Sequence, residues 1–427
     1  MTVNPGERLK NYIYTKKDKK ILRELAMEKT EIASSEINQE KIKMWKALNE
    51  LKEMRPMVLL NDVCWHEMNV DDKLTLKTST EFTRRLETIL RKTNYWWHYM
   101  RTDMVVESTI PCYFEVENTG FGISEIAENI TKTDPDSDIA FRAFTSQIKN
   151  EEDIEKIKTP RVTYHEDDTN NKFQAMVDIF DGIAEVKKMG YPGVYFAPWD
   201  DLVAWWDVQT LLTDMMIRPD LVHMAMDRLT EACLKQLDQF EDLNLLSLNN
   251  RNYFTGSGGL GYTDELPQKD FDQNKIIAKD LWGNCAAQLL AGVSPEMHEE
   301  FALQYEIKYM KRFGLTYYGC CEPLEKKIDI LRKIPNLRKI SMSPWVDLEL
   351  GAANIGKDYV FSYKPNPVIF TGKDWDPELI RKRLFEDLKK LKGCNVEILM
   401  KDISTVQYKP HRLWEWAKIA SEVVNKI

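Results

Sequence analysis

Seven cysteines, an odd number spread thinly over 427 residues, are too few for a disulfide framework. Cysteine here is therefore a packing residue, a metal ligand or a nucleophile, and the thiols are expected to be reduced. No apolar run approaches the roughly 20 residues that a membrane span needs, and the polar start of the chain carries no signal-peptide pattern. Together these absences place the chain in the cytoplasm, with no membrane partner. An excess of positive charge is missing as well. The net charge is −9, which disfavours nucleic acid and anionic membranes alike. The densest basic run, Lys16-Lys17-Asp18-Lys19-Lys20, fits a solvated helix face. Internal repeats, low-complexity tracts and Gly/Ser linkers are also lacking, so nothing divides the chain into two globular halves.

What is present is a hydrophobic fraction of 43%, enough for a large core, beside 30% charged residues. Residues 1–54 are charged and helical in pattern. Ser34-Ser35 marks a helix start, and Trp45, Leu48 and Leu51 follow at helical spacing. This stretch is expected to be a helical extension packed on the main body or on a second subunit of a homodimer. From Arg55 onward short apolar runs alternate with amphipathic stretches, the pattern of βα units around a parallel sheet. The expected fold is α/β, a (β/α)8 TIM-like barrel over residues 55–427. Its strands are expected at 56–61, 193–198, 243–248, 286–290, 315–320, 339–343, 359–363 and 396–400, and residues 104–117 read as an inserted hairpin. Ser294-Pro295-Glu296 and Asp376-Pro377-Glu378 each give a capping residue, a proline and an acid in sequence, which opens a helix.

In such a barrel the carboxyl ends of the strands converge on the active site. Trp65 and His66, Trp199, Asn250 with Tyr253, Ser343 and Trp345 fall at those ends and are expected to bind substrate. Several are aromatic, which suits a flat apolar ligand. His66 could also act as acid or base, or simply be a satisfied hydrogen-bonding group. Cys320-Cys321-Glu322 ends another strand. Alternation of faces puts Tyr318, Cys320 and Glu322 on one side, where Cys320 and Glu322 with His298 could hold zinc. The alternative is that both cysteines are small core residues. Lys364 and the Lys401-Asp402 pair directly follow apolar strands. They could neutralise a substrate carboxylate or form a structural ion pair. The cluster 256–261, rich in glycine, lacks the Lys-Ser/Thr of a phosphate loop and reads as a flexible loop beside the pocket.

Ser294-Pro295-Glu296-Met297-His298-Glu299-Glu300-Phe301 with Tyr305, followed by residues 315–324, resembles the uroporphyrinogen decarboxylase superfamily. There a Ser-Pro-x-x-Phe-x-x-Phe helix precedes a strand ending in a His-x-Cys-Gly-like segment. The resemblance covers residues 180–425. It implies a barrel and one of two activities: cofactor-free decarboxylation of uroporphyrinogen, or zinc-dependent methyl transfer to or from cobalamin on a small corrinoid protein. The arginine-rich signature of the decarboxylases is not visible in residues 9–26. The His-x-Cys of the methyltransferases falls on Tyr318-Gly319-Cys320, with tyrosine in place of histidine, and their later cysteine falls near Lys401-Asp402. The resemblance thus implies a cobalamin-dependent methyltransferase of the O-demethylase type, with a small methoxylated aromatic as methyl donor and a corrinoid protein as partner. Lys364, Lys401 and Asp402 would assist the leaving group. A metal-free lyase and a non-catalytic binding barrel are the alternatives.

Overall fold

The computed structural model describes residue 9 and residues 11–427, apart from 133, 138 and 139. Its centre is a parallel sheet of seven strands, which we number in chain order: β1 (Met57–Leu60), β2 (Tyr195–Phe196), β3 (Trp282–Cys285), β4 (Leu315–Tyr318), β5 (Leu337–Met342), β6 (Val360–Tyr363) and β7 (Asn395–Met400). In space the order is β1-β7-β6-β5-β4-β3-β2, so the first strand pairs with the last. Such an order is the sheet of an α/β barrel, curled until its edges approach. Strands β1 and β3 to β7 are buried on both faces, as parallel strands flanked by helices must be.

Seven strands rather than the eight expected are joined. Residues 243–248 make only one parallel bridge, Leu246 to Tyr191, and the expected strand at 286–290 is a turn, with β3 lying just before it. Hydrogen bonds from asparagine side chains and loop backbone instead bridge the gap between the sheet edges. Asn249 Nδ2 donates to the carbonyls of Pro192 and Trp282. Asn252 Nδ2 donates to Val105 O, and the Asp103 N–H donates to Val58 O.

Residues 104–117 are not a hairpin. Ile110–Tyr113 pairs in parallel with Val186–Met189, and Val116–Asn118 pairs antiparallel with Val162–Tyr164. Together with the antiparallel pair Ala127–Thr131 and Phe141–Phe144 they form a layered insertion beside the barrel. The helix starts follow the sequence grammar: Ser294 Oγ accepts the Met297 N–H, and Asp376 Oδ1 accepts the Leu379 N–H.

Two helices precede β1. α1 (Lys16–Ala33) packs on α3 (Glu81–Tyr99). α2 (Glu36–Asn49) carries Trp45 into the protein, where its Nε1 donates to Asp103 O. Trp45 and Trp282 flank the Lys339 ammonium at 5.7 and 5.6 Å. Lys339 in turn pairs with Glu397 at 2.8 Å, both side chains fully buried. An isolated charge there would be costly, and the pairing with added hydrogen bonds offsets it. The loop at 256–261 is not a flexible border but packs into this interior. A Cβ on Gly258 would lie 2.4 Å from the Tyr317 ring and 2.7 Å from Glu397 Oε1, and one on Gly259 would lie 2.5 Å from Trp45. The glycines are needed because the backbone passes against these side chains. Among the described residues no helix is long and apolar enough to cross a membrane.

Candidate active site

The alternation of strand faces sends Tyr317, Ser341, Ser362 and Lys364 toward one another. Lys364 is buried, and its Nζ donates to Tyr317 Oη at 3.0 Å and to Ser341 Oγ. Tyr317 Oη donates to Ser362 Oγ at 3.3 Å. Ser341 Oγ donates to the Cys320 carbonyl at 2.6 Å, which ties this layer to the next.

That next layer lies at the carboxyl ends of β4 and β7. Lys401 Nζ is 3.5 Å from Cys320 Sγ, 3.3 Å from Asp402 Oδ1 and 3.6 Å from Asp62 Oδ2. The Cys320 and Cys321 sulfurs are 3.5 Å apart, and the Cys321 sulfur lies 3.7 Å from Asp402 Oδ2. Asp62 and Asp402 both take positive φ, 46° and 56°, an uncommon backbone state for non-glycine residues that clusters at functional sites.

Electrostatics sharpen this picture. A hydrogen bond from Cys321 holds the Cys320 thiol down at about 6, and Lys401 and Lys364 add to it against the burial. Burial works to lower Lys401, but Cys320, Asp402, Cys321 and Asp62 outweigh it and keep the ammonium above its usual range. Cys321 is raised, because its thiol donates a hydrogen bond to Cys320 and so keeps its proton, with burial adding to the shift. The result is a thiolate and an ammonium side by side, flanked by two carboxylates.

Sequence reasoning therefore brings Cys320, Lys364, Lys401 and Asp402 to one place. It does not assemble the zinc set. β4 ends at Tyr318, and Gly319, at φ +94°, turns the chain before Cys320, so the strand alternation cannot be extended to Cys320 and Glu322. His298 lies elsewhere, fully buried, with Nε2 2.6 Å from Tyr318 Oη and Nδ1 3.1 Å from Lys327 Nζ. Burial and the Lys327 charge push its pKa down to about 3. The Glu322 carboxylate accepts the N–H groups of Cys320, at 2.6 Å, and Ala287, at 3.1 Å. The ligand atoms of the three residues do not gather within 4.8 Å of one another. With the ligand atoms apart and both imidazole nitrogens of His298 engaged, this set does not fit a zinc ion.

The residues expected to bind substrate scatter. Trp65 packs edge-on against Tyr95 and Trp96 under Lys92. Trp199 is wholly in the core, and Asn250 Nδ2 staples its own loop by donating to Leu266 O at 2.6 Å. The Tyr253 phenol is pushed up to about 12 by burial and by Tyr113 of the insertion. Ser343 is buried, with its Oγ accepting the Trp345 N–H at 3.4 Å. Trp345 projects into solvent from the rim at 72% exposure, and Val368 beside Asn366 does so at 60%. His66 sits at the rim beside Glu67 and Asp134. A groove of about 430 Å³ lined by Trp97, Arg101, Trp414 and Lys418 lies between α3 and the helix His411–Val424, apart from the lysine–cysteine cluster.

Sequence reasoning missed Cys321, Tyr317 and the acids Asp200 and Asp201. The acids open the helix Pro198–Trp206, where burial first and neighbouring negative charge second raise them to about 6 and about 7. Two adjacent acids at a strand end were the available signal. Tyr317 carried none, because one tyrosine in an apolar strand looks like any other.

No protein-family model matches the chain. No curated protein matches it either. Among solved structures it is similar to a methyltransferase from Methanosarcina mazei, at 10% identity over 90% of this chain and 98% of that one, with a TM-score of 0.50. At that identity the likeness concerns the fold, an α/β barrel of the same kind.

Proposed function

We propose that the chain is a methyltransferase that moves a methyl group from a small methoxylated aromatic to a corrinoid protein. The observation that carries this reading is the set of polar and charged groups at the carboxyl ends of the strands: Lys364, Lys401, Asp402 and Cys320. Similarity of fold to a methyltransferase supports it. Cleaving an aryl methyl ether leaves negative charge on the phenolic oxygen, and a fixed cation near that oxygen favours the transition state over the bound substrate. Lys401 is too weak an acid to hand over its proton readily, so its role is electrostatic, with Asp402 and Asp62 setting its position. Lys364 uses two of its three N–H donors on Tyr317 and Ser341, which leaves one for a ligand. The corrinoid carried by the partner would supply the nucleophile that accepts the methyl group. Trp345 and Val368, both exposed at the rim, give that partner apolar surface to seat on. Zinc has no part in this reading, because His298, Cys320 and Glu322 do not bring their ligand atoms together.

Incubation with a panel of methoxylated aromatics and a reduced corrinoid protein should yield methylcobalamin and the free phenol in equal amounts. If no member of a broad panel, methylamines included, gives methylcobalamin with any corrinoid partner, the reading is wrong. A second reading, a lyase or decarboxylase acting on a carboxylated substrate, draws on the same two lysines as carboxylate anchors. Release of carbon dioxide without a corrinoid would favour it.

A further inference from the structure

Three segments meet apart from the lysine–cysteine cluster. His66 and Glu67 stand on the helical turn Trp65–Glu67 that follows β1. Asp134 lies between the paired strands Ala127–Thr131 and Phe141–Phe144 of the insertion, and Tyr408 follows β7. His66 Nε2 is 3.6 Å from Glu67 Oε1 and 3.8 Å from Asp134 Oδ2, and the three atoms all lie within 4.8 Å of one another. These separations are too long for hydrogen bonds. Nor does His66 Nε2, although buried, have any other hydrogen-bond partner. A buried ring nitrogen without a partner needs an explanation, and an ion is one.

The spacing fits. Ligands bound at 2.0–2.2 Å to a tetrahedral ion stand roughly 3.3–3.6 Å apart, and His66 Nε2 is within a few tenths of an ångström of that spacing from each carboxylate oxygen. Both carboxylates are also fixed by hydrogen bonds, as metal ligands usually are. Glu67 Oε2 accepts the N–H groups of Val406 and Tyr408, both at 2.8 Å, which leaves Oε1 toward His66. Asp134 Oδ2 accepts the Tyr408 hydroxyl at 2.7 Å, and its Oδ1 accepts the Asp136 N–H at 2.9 Å.

We propose that His66, Glu67 and Asp134 form a site for a divalent first-row cation, zinc being the best match, which pins the insertion to the barrel rim. One imidazole and two carboxylates suit zinc or manganese better than the all-oxygen preference of calcium or magnesium. The site shares no residue with the lysine–cysteine cluster and stands whatever reaction that cluster performs.

Equilibrium dialysis of the full chain against zinc or manganese, with metal analysis, tests the site. The wild type and Cys320→Ser should each retain one equivalent, whereas His66→Ala and Asp134→Asn should lose affinity at least tenfold. Zinc should also slow tryptic cleavage after Lys132 in the wild type but not in Asp134→Asn. Retention undiminished in both His66→Ala and Asp134→Asn would overturn the proposal. So would no retention by the wild type, or a loss of zinc confined to Cys320→Ser.

Discussion

The Lys401 ammonium lies 3.5 Å from the sulfur of Cys320, the separation of an ion pair between a thiolate and a lysine. Cys320 also accepts a hydrogen bond from the Cys321 thiol, so two neighbours favour its charged form. Alkylation by iodoacetamide should follow the thiolate fraction, rising with pH through a midpoint near 6. In Cys321→Ala the midpoint should move up toward the ordinary thiol range, and Lys401→Met should do the same to a smaller extent. The rate at pH 6 should fall by about tenfold in Cys321→Ala. Peptide mapping that finds Cys320 no more reactive than Cys394 would contradict the pairing.

Lys364→Met should cut turnover on the order of 10²-fold, the usual effect of removing one donor aimed at a developing oxyanion. The Michaelis constant should change much less, because the interaction strengthens in the transition state. Steady-state kinetics beside a melting curve separates this from misfolding. A raised Michaelis constant at unchanged turnover would make Lys364 a binding group only.

A methyl group at position 258 has nowhere to go. The added Cβ of Gly258→Ala would stand 2.4 Å from Tyr317, so the ring or the loop must shift, at a cost of about 1–3 kcal/mol. Because Tyr317 Oη receives a hydrogen bond from Lys364, the shift should also disturb the charged layer above. Thermal melting should show the loss of stability, and activity should fall further than Gly292→Ala, a site with open space around it, lowers it.

Acid should act through His298. Its ordinary value is 6.5, and the folded protein holds it at about 3. Below 6.5 the unfolded chain takes up a proton that the folded chain refuses. Its contribution is thus complete above 6.5 and lost as pH falls toward 3, at about 1.4 kcal/mol per pH unit for one proton. Glu306, raised to about 7 by burial, works the other way: its contribution is present below 4.5 and lost as pH rises through 7. Comparison with His298→Asn isolates the histidine. The stability advantage of the wild type over that variant should shrink between pH 7 and pH 5. An advantage constant across that range would mean that His298 titrates normally.

The parts of the fold that the sequence made legible were those where one interaction dominates. β4 to β7 stand out because each is largely buried and carries a short apolar run, such as Val360-Phe361 or Ile398-Leu399-Met400. β3 did not stand out, since Trp282-Gly283-Asn284-Cys285 contains a glycine and an amide and the apolar run follows it. The stretch at 243–248 is apolar enough for a strand, but the barrel closes there through asparagine side chains, which leave no periodic trace. Lys364, Lys401 and Asp402 can be placed at one rim from sequence because each lies within two residues of a strand end. The zinc set was not confirmed because face alternation stops where the strand stops, at Tyr318. Whether the next side chain turns in or out is decided by the positive φ of Gly319, which spacing does not reveal.

The pairing of β1 with β7 has a consequence for how the protein comes into being. Met57 meets Glu397, about 340 residues later, so one edge of the newborn sheet has no neighbour until those residues have been made. At roughly 5–20 residues per second, β1 waits some tens of seconds on the ribosome. Throughout that interval the sequence Met57-Val58-Leu59-Leu60 is an unsatisfied apolar edge, the kind of segment that recruits other chains. α2, already made and carrying Trp45, is available to shield it. Shortening α2 should therefore reduce the yield of soluble protein during synthesis more than it lowers the melting temperature of whatever has already folded.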